Sequence, residues 1–342
     1  MFLNRSYTGR LGLGLLLLGV LFQACSEPAA PSGEAPGSQA RREENGSSLS
    51  QESPGVGVGE AGLDLKVPLR NVVLITLDTL RWDYVSCYRD DKASTPYIDE
   101  LAARGVRFEQ AVAQVPLTLP SHASILTGTY PQVHGVRDIG GFVLGSEIPT
   151  MATIMKGAGY DTAAFVGAAV LHRRFQLSHG FDLYSDDMMV ASGTNRLPGV
   201  VAEIRADVVS DRVISWLEAR AAVKAKKPFF VWAHYYDPLR SYDPPEPYKS
   251  RYAQDPYAGE TAYTDEQVGR IFDFLEERGL MEDTLIVLLS DHGESLGEHD
   301  EFTHGIFIYE STMRIPMVVA GPGIPGGVTV EEQVRSIDVM PT

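Results

Sequence analysis

Two acidic residues follow apolar runs of strand length, and one of them is paired with a histidine. Asp78 ends the run 72–77, and Asp291 with His292 closely follows the run 284–289. Open α/β sheets bind ligands at the carboxyl ends of their strands, so we expect these side chains to converge. Carboxylates and imidazole are ligands that a divalent metal ion accepts. The pattern therefore predicts a metal site at one edge of a sheet.

A hydroxyl group is expected to complete this site. Thr118 precedes Pro120, a residue that suits the first turn of a helix continuing to Gly128. Coordination of the Thr118 hydroxyl would lower its pKa and make it a nucleophile near neutral pH. The structural alternative is a helix N-cap, and the two roles are compatible because a helix N-terminus also favours an anionic substrate group.

The segment 116–128, with Thr118, Ser121 and His122, resembles the active-site signature of the sulfatase family. That signature reads Cys or Ser, any residue, Pro, Ser, Arg, and its first residue is oxidised to formylglycine. Threonine is a secondary alcohol, so its oxidation would give a ketone rather than an aldehyde. The resemblance therefore implies a plain hydroxyl nucleophile, as in the phosphoester-cleaving branches of the alkaline phosphatase superfamily.

The resemblance also implies the metal ligands Asp78, Thr118, Asp291 and His292. Thr79 stands where sulfatases commonly carry a second Asp. A site with one carboxylate fewer and an imidazole added favours zinc or manganese, with calcium as the alternative.

Three sulfate-binding positions of the family differ in this chain. His122 replaces the signature Arg, and His304 replaces a Lys that grips sulfate. His234 and Asp237 match a stretch near the leaving group, although Leu239 replaces its usual His; the paired Lys and His that sulfatases carry after another strand are also absent. We expect Thr118, His122, His234 and His304 to be catalytic. The alternatives are a structural hydrogen bond for His304 and a pocket-wall role for His234 and Asp237.

Three further residues have less specific predictions. Cys87 lacks the context of a formylglycine precursor and is interpreted as a packing residue. His134 is expected to be structural, and the role of His299 is left open.

Apolar runs alternate with helical patterns from residue 71 onward, which predicts an α/β fold. We expect a mainly parallel central β-sheet flanked by helices on both faces, similar to alkaline phosphatase and sulfatase folds. The predicted strands are 72–77, 162–166, 229–234, 284–289 and 315–320, and the predicted helices are 95–104, a helix ending at 156–158, 203–221 and 264–278.

The N-terminal residues have the features of an export signal and a tether. Residues 1–25 combine Arg5 and Arg10 with a short leucine-rich run and an imperfect lipobox before Cys25. Lipidation of Cys25 is expected, with an ordinary secretory signal as the alternative. Residues 26–66 are rich in Gly, Ser, Pro and Glu, which predicts a disordered tether. Residues 67–342 form the expected catalytic domain, which resembles a family domain truncated at its C-terminus.

The composition limits the partners and the reaction. The 342 residues carry a formal charge of −16, which argues against a nucleic acid partner because such binding needs clustered Lys and Arg. A bound dication can still attract an anionic ester. We therefore expect an exported, envelope-associated enzyme for a small-molecule, glycan or lipid ester; its oligomeric state is open.

Phosphate mono- or diester hydrolysis is favoured. Sulfate ester hydrolysis, transfer of a phosphoglycerol- or phosphoethanolamine-type group, and an inactive binding module are the alternatives. Retention of Asp78, Asp291 and His292 argues against the inactive module.

Overall fold

A computed structural model of the protein describes residues 70–188, 203–222 and 227–342. The predicted signal, Cys25 and the tether lie outside the described residues. The strands are β1 Asn71–Leu77, β2 Val106–Val112, β3 Asp161–Val166, β4 Leu183–Ser185, β5 Phe229–Tyr235, β6 Thr284–Ser290, β7 Arg314–Ile315, β8 Met317–Ala320 and β9 Val328–Arg335. The helices are α1 Pro96–Arg104, α2 Thr118–Thr127, α3 Pro131–His134, α4 Met151–Gly157, α5 Ala206–Ala221, α6 Tyr248–Arg251, α7 Pro256–Glu277 and α8 Glu310–Met313.

The described strands form one mixed sheet in the order β4-β3-β5-β1-β6-β8-β2-β7, with β9 beside β2. The five strands from β4 to β6 are parallel to their neighbours. β8 is antiparallel to both β6 and β2, whereas β9 is parallel to β2. The α/β fold with a mainly parallel sheet is therefore confirmed, and the parallel half brings the ends of β1, β5 and β6 side by side.

Both faces of the sheet are covered, which explains the uninterrupted apolar sequence of its central strands. Along β1, Val73, Ile75 and Leu77 belong to one hydrophobic cluster, together with side chains of α1, α5 and α7. Val72 and Leu74 point to the opposite face and pack with α2 and α4. The predicted helices on both faces are therefore present.

Several element boundaries differ from the sequence-based prediction. α7 begins at Pro256 rather than at residue 264, because the Asp255 side chain accepts a hydrogen bond from Ala258 N (3.1 Å). α5 begins at Ala206 rather than at residue 203, where Asp237 accepts from the Ala206 N–H (2.8 Å). Pro316 divides the predicted strand 315–320 into β7 and β8. Within the described part of the chain, no helix is long and apolar enough to cross a membrane.

Candidate active site

The carboxyl ends of β1 and β6 form the centre of the site. The two strands are paired in parallel with Leu77 opposite Ser290, so the residues that follow them emerge together. Asp78, Asp291 and His292 are completely buried, and each offers a ligand atom within 4.8 Å of the other two. The structure thus brings together the three strand-end residues that the sequence selected.

Thr118 lies beside this cluster at the first position of α2. Its Oγ1 is 3.3 Å from Asp78 Oδ1 and 3.3 Å from His292 Nε2. The structural alternative, a helix N-cap, does not hold, because Leu117 occupies the cap position and no side-chain cap hydrogen bond is made there. The hydroxyl is therefore directed into the site instead of being used by the helix. Ser121 fixes this end of the helix, since its hydroxyl donates to the Asp291 carbonyl (2.7 Å).

The two carboxylates have oxygens that suit a cation. Asp291 Oδ1 accepts hydrogen bonds from His292 N (2.9 Å) and Thr79 N (3.2 Å). By contrast, Asp78 Oδ2 and Asp291 Oδ2 are buried and have no hydrogen-bond partner among the described residues. Burying an unpartnered charged oxygen is costly, and a divalent cation would offset that cost. The donor set therefore fits a divalent metal ion.

The pKa values of the Asp78 and Asp291 carboxyl groups shift in opposite directions. Burial and the nearby Asp78 charge raise the pKa of Asp291. Burial also acts to raise the pKa of Asp78, but the nearby His234 ring and the other neighbouring imidazoles outweigh it and lower that pKa. Two like charges this close disfavour joint ionisation unless a positive charge compensates them.

His292 is oriented as a neutral ligand. Its Nδ1 lies 3.0 Å from the Gly293 carbonyl, so Nδ1–H donates there and Nε2 keeps its lone pair towards Thr118 and Asp78. Burial lowers the pKa of His292 to about 3. The imidazole is therefore unprotonated at Nε2 near neutral pH, as metal ligation requires.

His234 lies at the end of β5, beside Asp78. Its Nδ1 accepts from Gly167 N (3.2 Å), which leaves the proton on Nε2, 3.6 Å from Asp78 Oδ2. His234 therefore lies next to the Asp78 carboxylate, on the side of Oδ2. Asp237 holds the start of α5 by accepting from Ala206 N, and burial raises the pKa of Asp237 to about 6. The described contact of Asp237 is therefore a structural one, with the backbone of α5.

His122 differs from the expectation of a residue that contacts substrate. Its Nδ1–H donates to the Thr118 carbonyl (2.8 Å), and its Nε2 accepts from the Thr76 hydroxyl (3.0 Å). Thr76 in turn accepts from Trp232 Nε1 (2.9 Å). Burial holds the pKa of His122 well below its usual range. The fully buried, neutral ring therefore positions the first turn of α2. It is not free to bind substrate, because both of its nitrogens already make hydrogen bonds within the protein.

His304 is supported by Glu294, which the sequence reasoning missed. His304 Nδ1 lies 3.0 Å from Glu294 Oε1, and its ring centroid is 4.4 Å from that of His292. Glu294 is fully buried and also accepts from the Tyr242 hydroxyl (3.2 Å). Burial acts to lower the pKa of His304, but Glu294 outweighs it and raises that pKa. The sequence feature that could have indicated this role is the position of Glu294, an acidic residue two positions after His292.

The remaining singled-out residues lie in other environments. His134 is buried and bonded to the Ser124 hydroxyl (2.9 Å), in agreement with its predicted structural role. His299 is exposed and stacks on Tyr309, with ring centroids 4.0 Å apart. Cys87 is half-buried against the core, and burial raises the pKa of its thiol to about 12, as a packing residue requires.

Two proteins similar to this chain in sequence carry the name sulfatase. The ulvan-active sulfatase of Formosa agariphila is 29% identical over 315 residues, covering 80% of this chain and 60% of that protein. The arylsulfatase of Clostridium perfringens is 25% identical over 357 residues, covering 80% of this chain and 73% of the relative. The chain thus spans about 60% of the length of the first of these relatives.

Solved structures share the fold. The phosphonate monoester hydrolase of Agrobacterium radiobacter superposes with a TM-score of 0.65 at 22% identity, covering 80% of this chain and 73% of that one. The sulfatase family model matches residues 70–342. Because that match extends over the great majority of the sequence, the chain belongs to the sulfatase family.

Proposed function

We propose that the protein is a metal-dependent hydrolase of phosphate mono- or diesters with Thr118 as its nucleophile. One observation carries the proposal: the Thr118 hydroxyl oxygen lies 3.3 Å from both Asp78 Oδ1 and His292 Nε2 in a buried cluster. A hydroxyl held between a carboxylate and a neutral imidazole is placed for deprotonation and attack.

Asp78, Asp291, His292 and the Thr118 hydroxyl would hold the metal ion, with zinc or manganese favoured over calcium. When bound, such an ion supplies positive charge that stabilises an alkoxide and the substrate's anionic oxygens.

The side chains of this chain supply the remaining steps. Thr118 Oγ1 would lose its proton to water, attack phosphorus and form a threonine phosphoester while the leaving oxygen takes up a proton and departs as the alcohol. Water would then cleave that ester and regenerate the threonine hydroxyl, releasing phosphate from a monoester or a phosphate monoester from a diester. The N–H groups at the start of α2 have no partner within the helix and favour the anionic group. His304 is held through Nδ1 by Glu294, and its Nε2–H would donate a hydrogen bond to the substrate.

The choice of phosphate rests on the positions that differ from sulfatases. Thr118 replaces the formylglycine precursor, and His122 and His304 replace an Arg and a Lys. A phosphonate monoester hydrolase also shares the fold. Sulfate ester hydrolysis is the second candidate, because relatives such as the Clostridium perfringens arylsulfatase carry that name.

A panel of 4-nitrophenyl esters tests the proposal. The zinc- or manganese-loaded protein is assayed with the phosphate, the bis-phosphate, the phenylphosphonate and the sulfate. We expect turnover of a phosphorus ester that disappears in Thr118→Ala, and rapid acid quench should trap phosphorylated Thr118. Turnover confined to the sulfate would select the second candidate. No turnover of any ester by the metal-loaded protein would contradict both.

A further inference from the structure

The loop that carries His304 presents an unusual surface beside the site. Phe302, Ile306, Phe307 and Ile308 are 60%, 69%, 53% and 77% exposed, respectively. The other exposed large hydrophobic side chains of the described chain are distributed over several different elements. A compact group of such side chains marks an interaction site, because exposing it to water is unfavourable.

This loop lies against the start of α2. Gly305 has a left-handed backbone (φ +89), and a Cβ atom there would come within 2.7 Å of Leu117 Cδ2. Leu117 immediately precedes Thr118. His304 is joined to Glu294, two residues beyond the ligand His292. His304 and Gly305 are therefore adjacent to the proposed nucleophile and metal ligands, and the four apolar residues flank them in the same loop.

The loop is held in place by hydrogen bonds along its length. Thr303 O accepts from Ser295 N (3.3 Å), and Phe302 O accepts from Arg240 Nη1 (3.2 Å). Phe307 donates through its N–H to Glu301 Oε1 (3.4 Å) and accepts from the Thr312 hydroxyl (3.2 Å). The exposed side chains thus project from an ordered backbone, which reduces the entropic cost of binding an apolar group.

The charges of the segment restrict what binds there. Residues 298–310 contain four carboxylate side chains and no Lys or Arg. Glu298 pairs with Arg81, Glu301 is buried and Arg240 lies beside Phe302, so the exposed carboxylates of Asp300 and Glu310 leave the surface with a net negative charge. A polyanionic chain or an anionic membrane surface would be repelled by such a segment. An uncharged alkyl or aryl group gains from burying the apolar side chains without meeting a like charge.

We infer that Phe302, Ile306, Phe307 and Ile308 form a subsite for an apolar leaving group, so that the substrate is an ester of a hydrophobic alcohol. This inference rests on the proposed function and adds its substrate class. The ester group would lie at Thr118, and the hydrophobic part would extend across the loop.

A series of n-alkyl phosphates from ethyl to octyl, used below micelle-forming concentrations, tests the inference. The leaving-group pKa hardly changes along the series, so chain length reports contact with the protein. We expect kcat/KM to rise about twofold or more for each methylene, giving about 16-fold or more from ethyl to hexyl. The n-alkyl sulfates replace this series if the panel identifies a sulfatase.

The variant Ile306→Ser/Ile308→Ser should lower the hexyl-to-ethyl ratio of kcat/KM towards one. Phe302→Ser provides an independent variant at the same surface. Leu183→Ser is the matched control, because Leu183 is 40% exposed on β4, four strands away from β6 in the sheet. It should keep the wild-type ratio.

Each outcome separates the inference from the proposed function. Hydrolysis of every ester without dependence on chain length would overturn the subsite and leave the proposed function intact. A chain-length dependence that survives in both loop variants would also overturn it. Sedimentation with phosphatidylcholine vesicles that is lost in Ile306→Ser/Ile308→Ser, together with a flat series, would identify a membrane contact instead. If the panel identifies a diesterase, methyl n-alkyl phosphates replace the monoester series; absence of any hydrolysis in the 4-nitrophenyl ester panel contradicts the proposed function itself.

Discussion

The Thr118 hydroxyl oxygen lies 3.3 Å from Nε2 of His292, although 174 positions separate the two residues in the chain. The contact depends on the packing of α2 against the end of β6. The Ser121 hydroxyl makes that attachment by donating to the Asp291 carbonyl (2.7 Å). The proposed nucleophile is therefore held by the first turn of α2, and the proposed metal ligand by the segment that directly follows β6.

Replacement of Thr118 by Ala should abolish turnover and preserve the fold. We expect kcat/KM to fall about 10³-fold or more, because the attacking oxygen is removed. The free energy of unfolding should change by about 1 kcal/mol or less, since the hydroxyl caps no helix N–H. Ester hydrolysis and urea denaturation measure the two effects.

Thr127→Ala is the matched control for this variant. Thr127 is buried at the other end of α2, and its hydroxyl bonds the Ala123 carbonyl within the same helix (2.7 Å). It should retain activity. Full activity in Thr118→Ala would exclude the hydroxyl as nucleophile.

Cys25 is outside the described residues and carries the proposal that the protein is an exported lipoprotein. Cys25→Ala should move the protein from the membrane fraction to the soluble fraction if one lipid anchor holds it. Fractionation followed by immunodetection measures this. Cys87→Ala, at the second of the two cysteines, should leave the distribution unchanged. Retention of Cys25→Ala in membranes would argue against lipidation.

His134 should make stability depend on pH. Burial lowers its pKa from 6.5 to about 4, so between these values the unfolded chain binds a proton that the folded protein does not. Its contribution is complete above about pH 6.5 and is lost as the pH falls towards 4, by up to about 3 kcal/mol. Urea denaturation at pH 7, 5.5 and 4 measures the effect.

The variant His134→Gln removes this titration. The stability difference between wild type and variant should therefore shrink as the pH falls. Other buried histidines, such as His292, titrate in both proteins and cancel in the comparison. Parallel stability profiles for the two proteins would show that His134 does not cause the pH dependence.

The central strands could be predicted because both of their faces are buried, which gives β1 and β6 continuous apolar sequences. β9 escaped prediction because it has few buried positions and a mixed polar sequence. The first two turns of α7 were hidden for a different reason. Their buried positions include Gly259, Glu260 and Thr261, so apolar periodicity does not extend to the true start of the helix.

The convergence of Asp78, Asp291 and His292 was predictable from their place at strand ends, since neighbouring parallel strands deliver such residues to one edge. The partners of His122 and His304 were not predictable. Their roles depend on distances to Thr76 and Glu294, and a one-dimensional pattern does not specify which atoms a ring nitrogen meets.

The chain Trp232–Thr76–His122 should contribute to both stability and catalysis. Thr76→Val keeps the side-chain shape but leaves Trp232 Nε1 without its acceptor and His122 Nε2 without its donor. We expect the free energy of unfolding to fall by about 1–3 kcal/mol, the typical cost of leaving buried polar groups unpaired. Because His122 holds the Thr118 carbonyl, kcat should fall as well.

Thr261→Val provides the comparison for Thr76→Val. Thr261 is also buried, but its hydroxyl bonds only the Tyr257 carbonyl of the same helix (3.0 Å). This variant should lose less stability and no activity. Similar losses in both variants would indicate a general effect of removing a buried hydroxyl.

The effect of replacing Asp291 should depend on metal. In chelator, burial and the Asp78 charge disfavour ionised Asp291. The side chain introduced by Asp291→Asn would keep an acceptor oxygen for His292 N and Thr79 N. It would also place an amide near His292 Nε2, which lies 3.3 Å from the present Oδ2. The metal-free Asp291→Asn protein should therefore be at least as stable as the metal-free wild type.

Addition of zinc or manganese should reverse that order. Metal at about 100 times its Kd would stabilise the wild type by about 2.7 kcal/mol, whereas Asp291→Asn loses a charged ligand and should gain much less. Asp265→Asn is the control, because this buried carboxylate accepts from Tyr97 N and Ile98 N at the start of α1 and should have the same effect with and without metal. Urea denaturation in chelator and in metal measures all three proteins. An equal gain in Asp291→Asn and wild type would remove Asp291 from the proposed ligand set, since the loss of a charged ligand weakens the binding of the metal ion.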